Sequence, residues 1–268
     1  QEVVGTKHNN LFYPTMSGVA RSLNFYPLGH EQAEDGIANI AFGLGKYIVD
    51  GGQTLRFSPK HTNHILQLST PELALKETQT HFFALDLDNL APKFSTSDAF
   101  NLLSLKVTDA RENMSLQQVA STYNFNDHRI IPGVQKAGRL LITFDRLLHY
   151  SPFPVAKTIE SLLNIGRNEM GRHVEIEFAL DVSNYEIAHF YLLQIRPIVD
   201  NREDLGEDII IKNEDILLIY SENVLGNGII SDIQDIVYVP SANFDAAKNQ
   251  EIAQQIAEIN EQLAADGK

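Results

Sequence analysis

The sequence predicts an α+β fold: an antiparallel sheet with helices, followed by a small α/β unit. Three features point to it. Residues 173–197 alternate apolar and polar side chains with period two at both ends of a polar middle, the pattern of a hairpin. Residues 155–170 and 244–263 repeat their apolar residues at helical spacing instead. A charge step lies near residue 200, just after Arg196-Pro197: residues 201–268 hold 14 acidic and 4 basic side chains, whereas residues 1–200 hold 21 and 17. We therefore expect one domain over 1–200 and an acidic unit, cut short, over 201–268.

Each element has its own warrant. Gly36 to Gly52 reads as a strand entering a Gly-rich turn, then a short helix or strand. Leu66 to Asp88 and Leu102 to Val107 are expected strands, and 115–123 a short helix capped by Ser115. Gly138 to Phe144 reads as a strand. Val155 to Met170 is amphipathic, with Ile159, Leu162, Leu163 and Met170 on one side, and Gly171 stops it. Beyond 200, the runs 208–211, 216–220, 229–230 and 236–239 are β-rich. Asn243 is placed to cap a last helix carrying Phe244, Ala247, Ile252, Ile256, Ile259 and Leu263, most simply packed on its own domain.

Composition excludes several classes of function. The chain has 268 residues, 43% hydrophobic and 21% charged, with net charge −14. That length buries a core without staples. The absence of Cys removes disulfides, thiolate metal sites and a Cys nucleophile. An acidic balance without a basic tract argues against nucleic acid as partner. No apolar run is long enough to span a membrane, and no signal peptide is evident.

The chemistry concentrates in the hairpin. On its first strand Val174, Ile176 and Phe178 share one face, and Glu175 and Glu177 the other; on the second, Gln194 and Arg196 share a face. Two carboxylates, an amide and a guanidinium can thus converge. Carboxylate and amide oxygens suit Mg²⁺, which keeps phosphate oxygens and water as its other ligands. A guanidinium fork suits a phosphate. The competing reading is an exposed sheet face with a cross-strand ion pair, Glu177 with Arg196.

These residues resemble a known family. Val174-Glu175-Ile176-Glu177-Phe178 and Leu192-Leu193-Gln194-Ile195-Arg196-Pro197 are similar to the end of the nucleotide-binding (PEP/pyruvate-binding) domain of phosphoenolpyruvate synthase and pyruvate phosphate dikinase. Gly18-Val19-Ala20-Arg21-Ser22 and Asn39-Ile40-Ala41-Phe42-Gly43-Leu44-Gly45 resemble two further motifs of that domain, in the same order. The resemblance covers roughly 1–200. It implies an ATP-grasp fold, of which this chain is the C-terminal part, with the N-terminal lobe and further domains of the same chain as partners. It further implies ATP and Mg²⁺ as cofactors. Glu177 and Gln194 would hold metal and nucleotide, Glu175 would be a further metal ligand, and Arg196 would contact the phosphoryl group in transfer. Gln1-Glu2-Val3-Val4 resembles the hinge whose backbone meets adenine, so Glu2 and Val4 are expected at the nucleotide. Lys46 stands where the family has Glu, Leu55-Arg56-Phe57-Ser58-Pro59 replaces an Asn-Pro-Asp, and 65–135 is longer than the family pattern.

Two functions are weighed. One is a cytoplasmic, kinase-like Mg-ATP phosphotransferase, inactive as this piece alone. The other is a nucleotide-sensing or scaffolding module that kept the fold without catalysis. Other candidates carry less. Gly43-Leu44-Gly45-Lys46 lacks the spacing of a phosphate-binding P-loop. His61 and His64 have no acidic neighbour in sequence and read as a solvated loop. Asp86 and Asp88 read as solvent-facing.

Overall fold

A computed structural model describes residues 3–88, 101–182, 187–198, 218, 233, 235–240 and 248–265. Among these, twelve strands form three antiparallel sheets. A four-stranded sheet orders β1 (Thr6–His8), β2 (Leu11–Tyr13), β6 (His81–Asp86) and β7 (Leu102–Lys106). A three-stranded sheet centres β8 (Ala120–Asn124) between β10 (Arg139–Ile142) and β9 (Arg129–Pro132). The sheet that matters for function has five strands, in the order β12 (Ala188–Pro197), β11 (Val174–Val182), β3 (Met16–Arg21), β4 (Ile37–Ala41), β5 (Leu55–Phe57).

Alternation gives this sheet two faces. Met16, Ala20, Ala38, Ile40, Leu55, Phe57, Val174, Ile176 and Phe178 are all buried on one of them. The helix α4 (Val155–Met170) covers that face with its own buried Ile159 and Leu163. Two glycines permit the packing. At Gly18 on β3, a Cβ would fall 2.2 Å from the ring of Phe178 on the neighbouring strand. At Gly166 a Cβ would come within 2.5 Å of Ile195, so the missing side chain lets α4 approach the sheet. The helix ends at Gly171, whose φ of +65° is left-handed.

Several expectations need correction. Residues 66–88 are not one strand. Leu66–Leu68 is a 3-10 turn, Pro71–Glu77 is the helix α2, and only His81–Asp86 is extended. The reason is local: the Thr70 hydroxyl accepts from the Leu73 N–H at 3.2 Å, and Pro71 occupies the first helical position. The helix expected over 115–123 is α3 (Met114–Val119), after which Ala120–Asn124 pair as β8. Ser115 is not its cap but lies inside it, buried, 3.0 Å from His8 Nε2. Met170 stays exposed at the end of α4. The helix α1 (Lys46–Val49) follows the Gly-rich turn.

The chain divides into two units, Gln1–Val199 and Asp200–Lys268. In the second, the helix α5 (Asn249–Ala265) is described, and no residue of it is buried, contrary to the expected packing on its own domain. Residues 235–240 form neither helix nor strand, so the expected β run at 236–239 is absent. The runs at 208–211 and 229–230, and Asn243, Phe244 and Ala247, lie outside the described residues; so does 216–220 apart from Leu218, which sits in a bend.

Candidate phosphate and metal site

The polar face of the five-stranded sheet carries the site. Register places Glu175 opposite Arg196 and Glu177 opposite Gln194 on β12. On the other side of β11, Glu175 faces Arg21 and Glu177 faces Val19. In an antiparallel pair, directly opposed residues project to the same face. All four expected residues therefore share one face, in two rows one pleat apart. The three similar motifs fall on adjacent strands: β3 carries the first, β4 runs into the second, and β11 with β12 form the third. Backbone pairing holds the rows in place. Ser22 N–H donates to Val174 O at 2.9 Å, and its hydroxyl accepts from the Val174 N–H at 2.9 Å. Just past Glu177 the β11–β12 register shifts, so Phe178 faces Leu192. Such a bulge re-aims the side chains beside it.

The first row is an Arg-Glu-Arg series. Glu175 is only 5% exposed. Its Oε2 accepts from Arg21 Nε at 2.5 Å, and its Oε1 from Arg196 Nε at 2.8 Å and also from Arg196 Nη2. Both guanidiniums remain about half exposed. Burial opposes charge on Glu175, but the hydrogen bonds from Arg21 and Arg196 outweigh it and lower its pKa. The same hydrogen bond raises the pKa of Arg196, helped by the charge of Glu177. The cross-strand ion pair foreseen from pattern is present, with a change of partner: Arg196 is bridged to Glu175 rather than to Glu177. Arg21, which was not assigned a role from sequence, completes the row. Its one available signal was its place two residues after Val19 in the first motif; its facing Glu175 is a matter of tertiary pairing.

In the second row Glu177 is partly exposed and Gln194 exposed. Farther along this face, Asn39 on β4 is opposite Val19, and Arg56 on β5 is opposite Asn39. Arg56 is committed elsewhere, donating to Asn24 Oδ1 at 2.9 Å and to the Tyr26 carbonyl at 2.7 Å.

Val4 is buried in the segment entering β1, and Glu2 lies outside the described residues. The Gly43 turn is a structural junction: Ser17 Oγ donates to Gly43 O at 2.7 Å, and the Leu44 N–H donates to Phe83 O at 3.0 Å. Lys46 pairs with Asp50 at 2.8 Å one turn on. His61 does have an acidic neighbour in space, since its Nε2 lies 3.0 Å from Asp35 Oδ2, while Lys60 Nζ holds Asp35 Oδ1 at 2.8 Å. Among the described residues no three His, Cys, Asp or Glu side chains gather as a metal cage. Among them also, no helix is long and apolar enough to cross a membrane.

Comparison with known proteins agrees with the motifs. No curated protein matches the chain. The family model for the pyruvate phosphate dikinase AMP/ATP-binding domain matches residues 1–214, a span that takes in all five strands of the site sheet. The chain belongs to the pyruvate phosphate dikinase AMP/ATP-binding domain family.

Proposed function

We propose that this chain binds the phosphates of Mg-ATP on the polar face of β11 and β12, and that the protein containing it is a cytoplasmic phosphotransferase of the dikinase type. The observation that carries the reading is the paired register, Glu175 against Arg196 and Glu177 against Gln194. The donor set fits the metal. Mg²⁺ is bound by one or two carboxylates with phosphate oxygens and water, and Glu177 with Gln194 offers one carboxylate and one amide oxygen on the accessible row. When bound, the ion would supply positive charge to the phosphates. Glu175 has both oxygens engaged by guanidiniums, so its part is to hold Arg196 at the face. Arg196, half exposed, is left with donor capacity for a phosphoryl oxygen. Its charge matters most where negative charge develops in transfer. Residues 1–200 would be the nucleotide-binding domain and 201–268 a separate acidic unit.

Calorimetric titration with ATP, with and without Mg²⁺, tests this. Binding should depend on Mg²⁺ and weaken in Glu177→Gln and Gln194→Ala. Metal-independent binding that both variants leave intact would overturn it. Mg-dependent binding without phosphoryl transfer in the full-length protein would favour the nucleotide-sensing module.

A further inference from the structure

The helix α5 has an organisation unrelated to the nucleotide site. Ile252, Ile256, Ile259 and Leu263 are spaced 4, 3 and 4 residues apart, the alternation of a coiled-coil seam. Written as heptads, Ile252 and Ile259 take position d, and Ile256 and Leu263 take position a. Asn249, one step earlier, is also at a. Ile256 is 40% and Ile259 39% exposed, while Ile252 and Leu263 are partly exposed.

The charges say what kind of partner the seam accepts. The positions flanking it, e and g, are Ala253, Gln255, Asn260 and Gln262, all uncharged. The acids of the helix, Glu251, Glu258 and Glu261, fall at c and f, on the outside. The outer face is already satisfied in part, with Gln254 Nε2 donating to Glu258 Oε1 at 3.0 Å. In a chain of net charge −14, any acid at e or g would repel an identical helix. A basic partner would instead be matched by acids beside the seam, and there are none. Asn249 at an a position is best satisfied by its own counterpart in a parallel copy at the same register.

We propose that α5 pairs in parallel with α5 of a second copy of this chain, through Ile252, Ile256, Ile259 and Leu263, with Asn249 setting the register. The chain has no Cys, so single introduced thiols report contact without background. Under mild oxidation, Asn249→Cys and Ile256→Cys should each give a disulfide-linked dimer, whereas Glu261→Cys at f should not. Sedimentation over about a hundredfold range of concentration should show reversible association, lost in the double variant Ile256→Glu/Ile259→Glu. Ile256 and Ile259 are exposed, and an unchanged circular dichroism spectrum of the whole chain shows that each variant is still folded. A monomer at every concentration overturns the proposal, as does equal cross-linking at a and f. Cross-linking of Ile256→Cys without that of Asn249→Cys overturns the parallel register.

Discussion

Removing the guanidiniums that flank Glu175 should show how the first row is held. The carboxylate is 5% exposed, while the Arg21 and Arg196 side chains are 47% and 56% exposed. An exposed ion pair is worth about 0.2–1 kcal/mol, whereas stripping the partner from a fully buried charge costs about 3–5 kcal/mol. This row lies between those limits. Either Arg21→Ala or Arg196→Ala leaves Glu175 with one guanidinium, so each should cost about 1 kcal/mol. The double variant leaves a buried carboxylate with no ion-pair partner and should cost about 3 kcal/mol or more, exceeding the sum of the two. The pH dependence follows in sign. The pKa of Glu175 is lowered in the folded protein, so its contribution is complete above its ordinary carboxylate value. It is lost as pH falls through the lowered value. The double variant should lose that acid-side slope. Urea denaturation followed by circular dichroism at neutral and acidic pH measures both effects. Strict additivity of the two substitutions at neutral pH would refute the reasoning.

Three further outcomes are expected. Gly18→Ala should destabilise the first unit by about 1–3 kcal/mol, because the new Cβ meets the buried Phe178 ring at 2.2 Å; an unchanged urea midpoint would show that the ring gives way freely. Asp35 is resisted in ionising by burial but pulled down to about 2 by hydrogen bonds from Lys60, the Gln32 N–H and His61, so Asp35→Asn should lower stability above pH 4 and cost progressively less as the pH falls towards 2. A loss that persisted undiminished in acid would argue against that sign. In the full-length protein, Arg196→Ala should reduce kcat by about a hundredfold or more while changing ATP affinity less than about tenfold; Arg196→Lys should not restore it, since an ammonium cannot serve Glu175 and a phosphate with one planar fork. A loss of ATP affinity with kcat unchanged would assign Arg196 to binding alone.

Alternation along 174–178 and 192–197 already specified which hairpin residues share a face, because side chains on a strand alternate with period two. The same local rules placed α4 and its Gly171 stop. They failed at 66–77, where apolar content suggested a strand but Thr70-Pro71 supplied a helix start, a signal that outweighs composition over so short a span. At Ser115, a good capping residue in the wrong register was drawn into the helix and towards His8. What no reading along the chain could decide was which cation meets which carboxylate. Arg21 reaches Glu175 across 154 residues through strand order. That contact is set by how β3 comes to lie between β4 and β11. That arrangement is chosen by the burial of the opposite, apolar face beneath α4, so the sequence alone determined the hairpin's two faces while the packing of its hidden side determined the partners on its polar one.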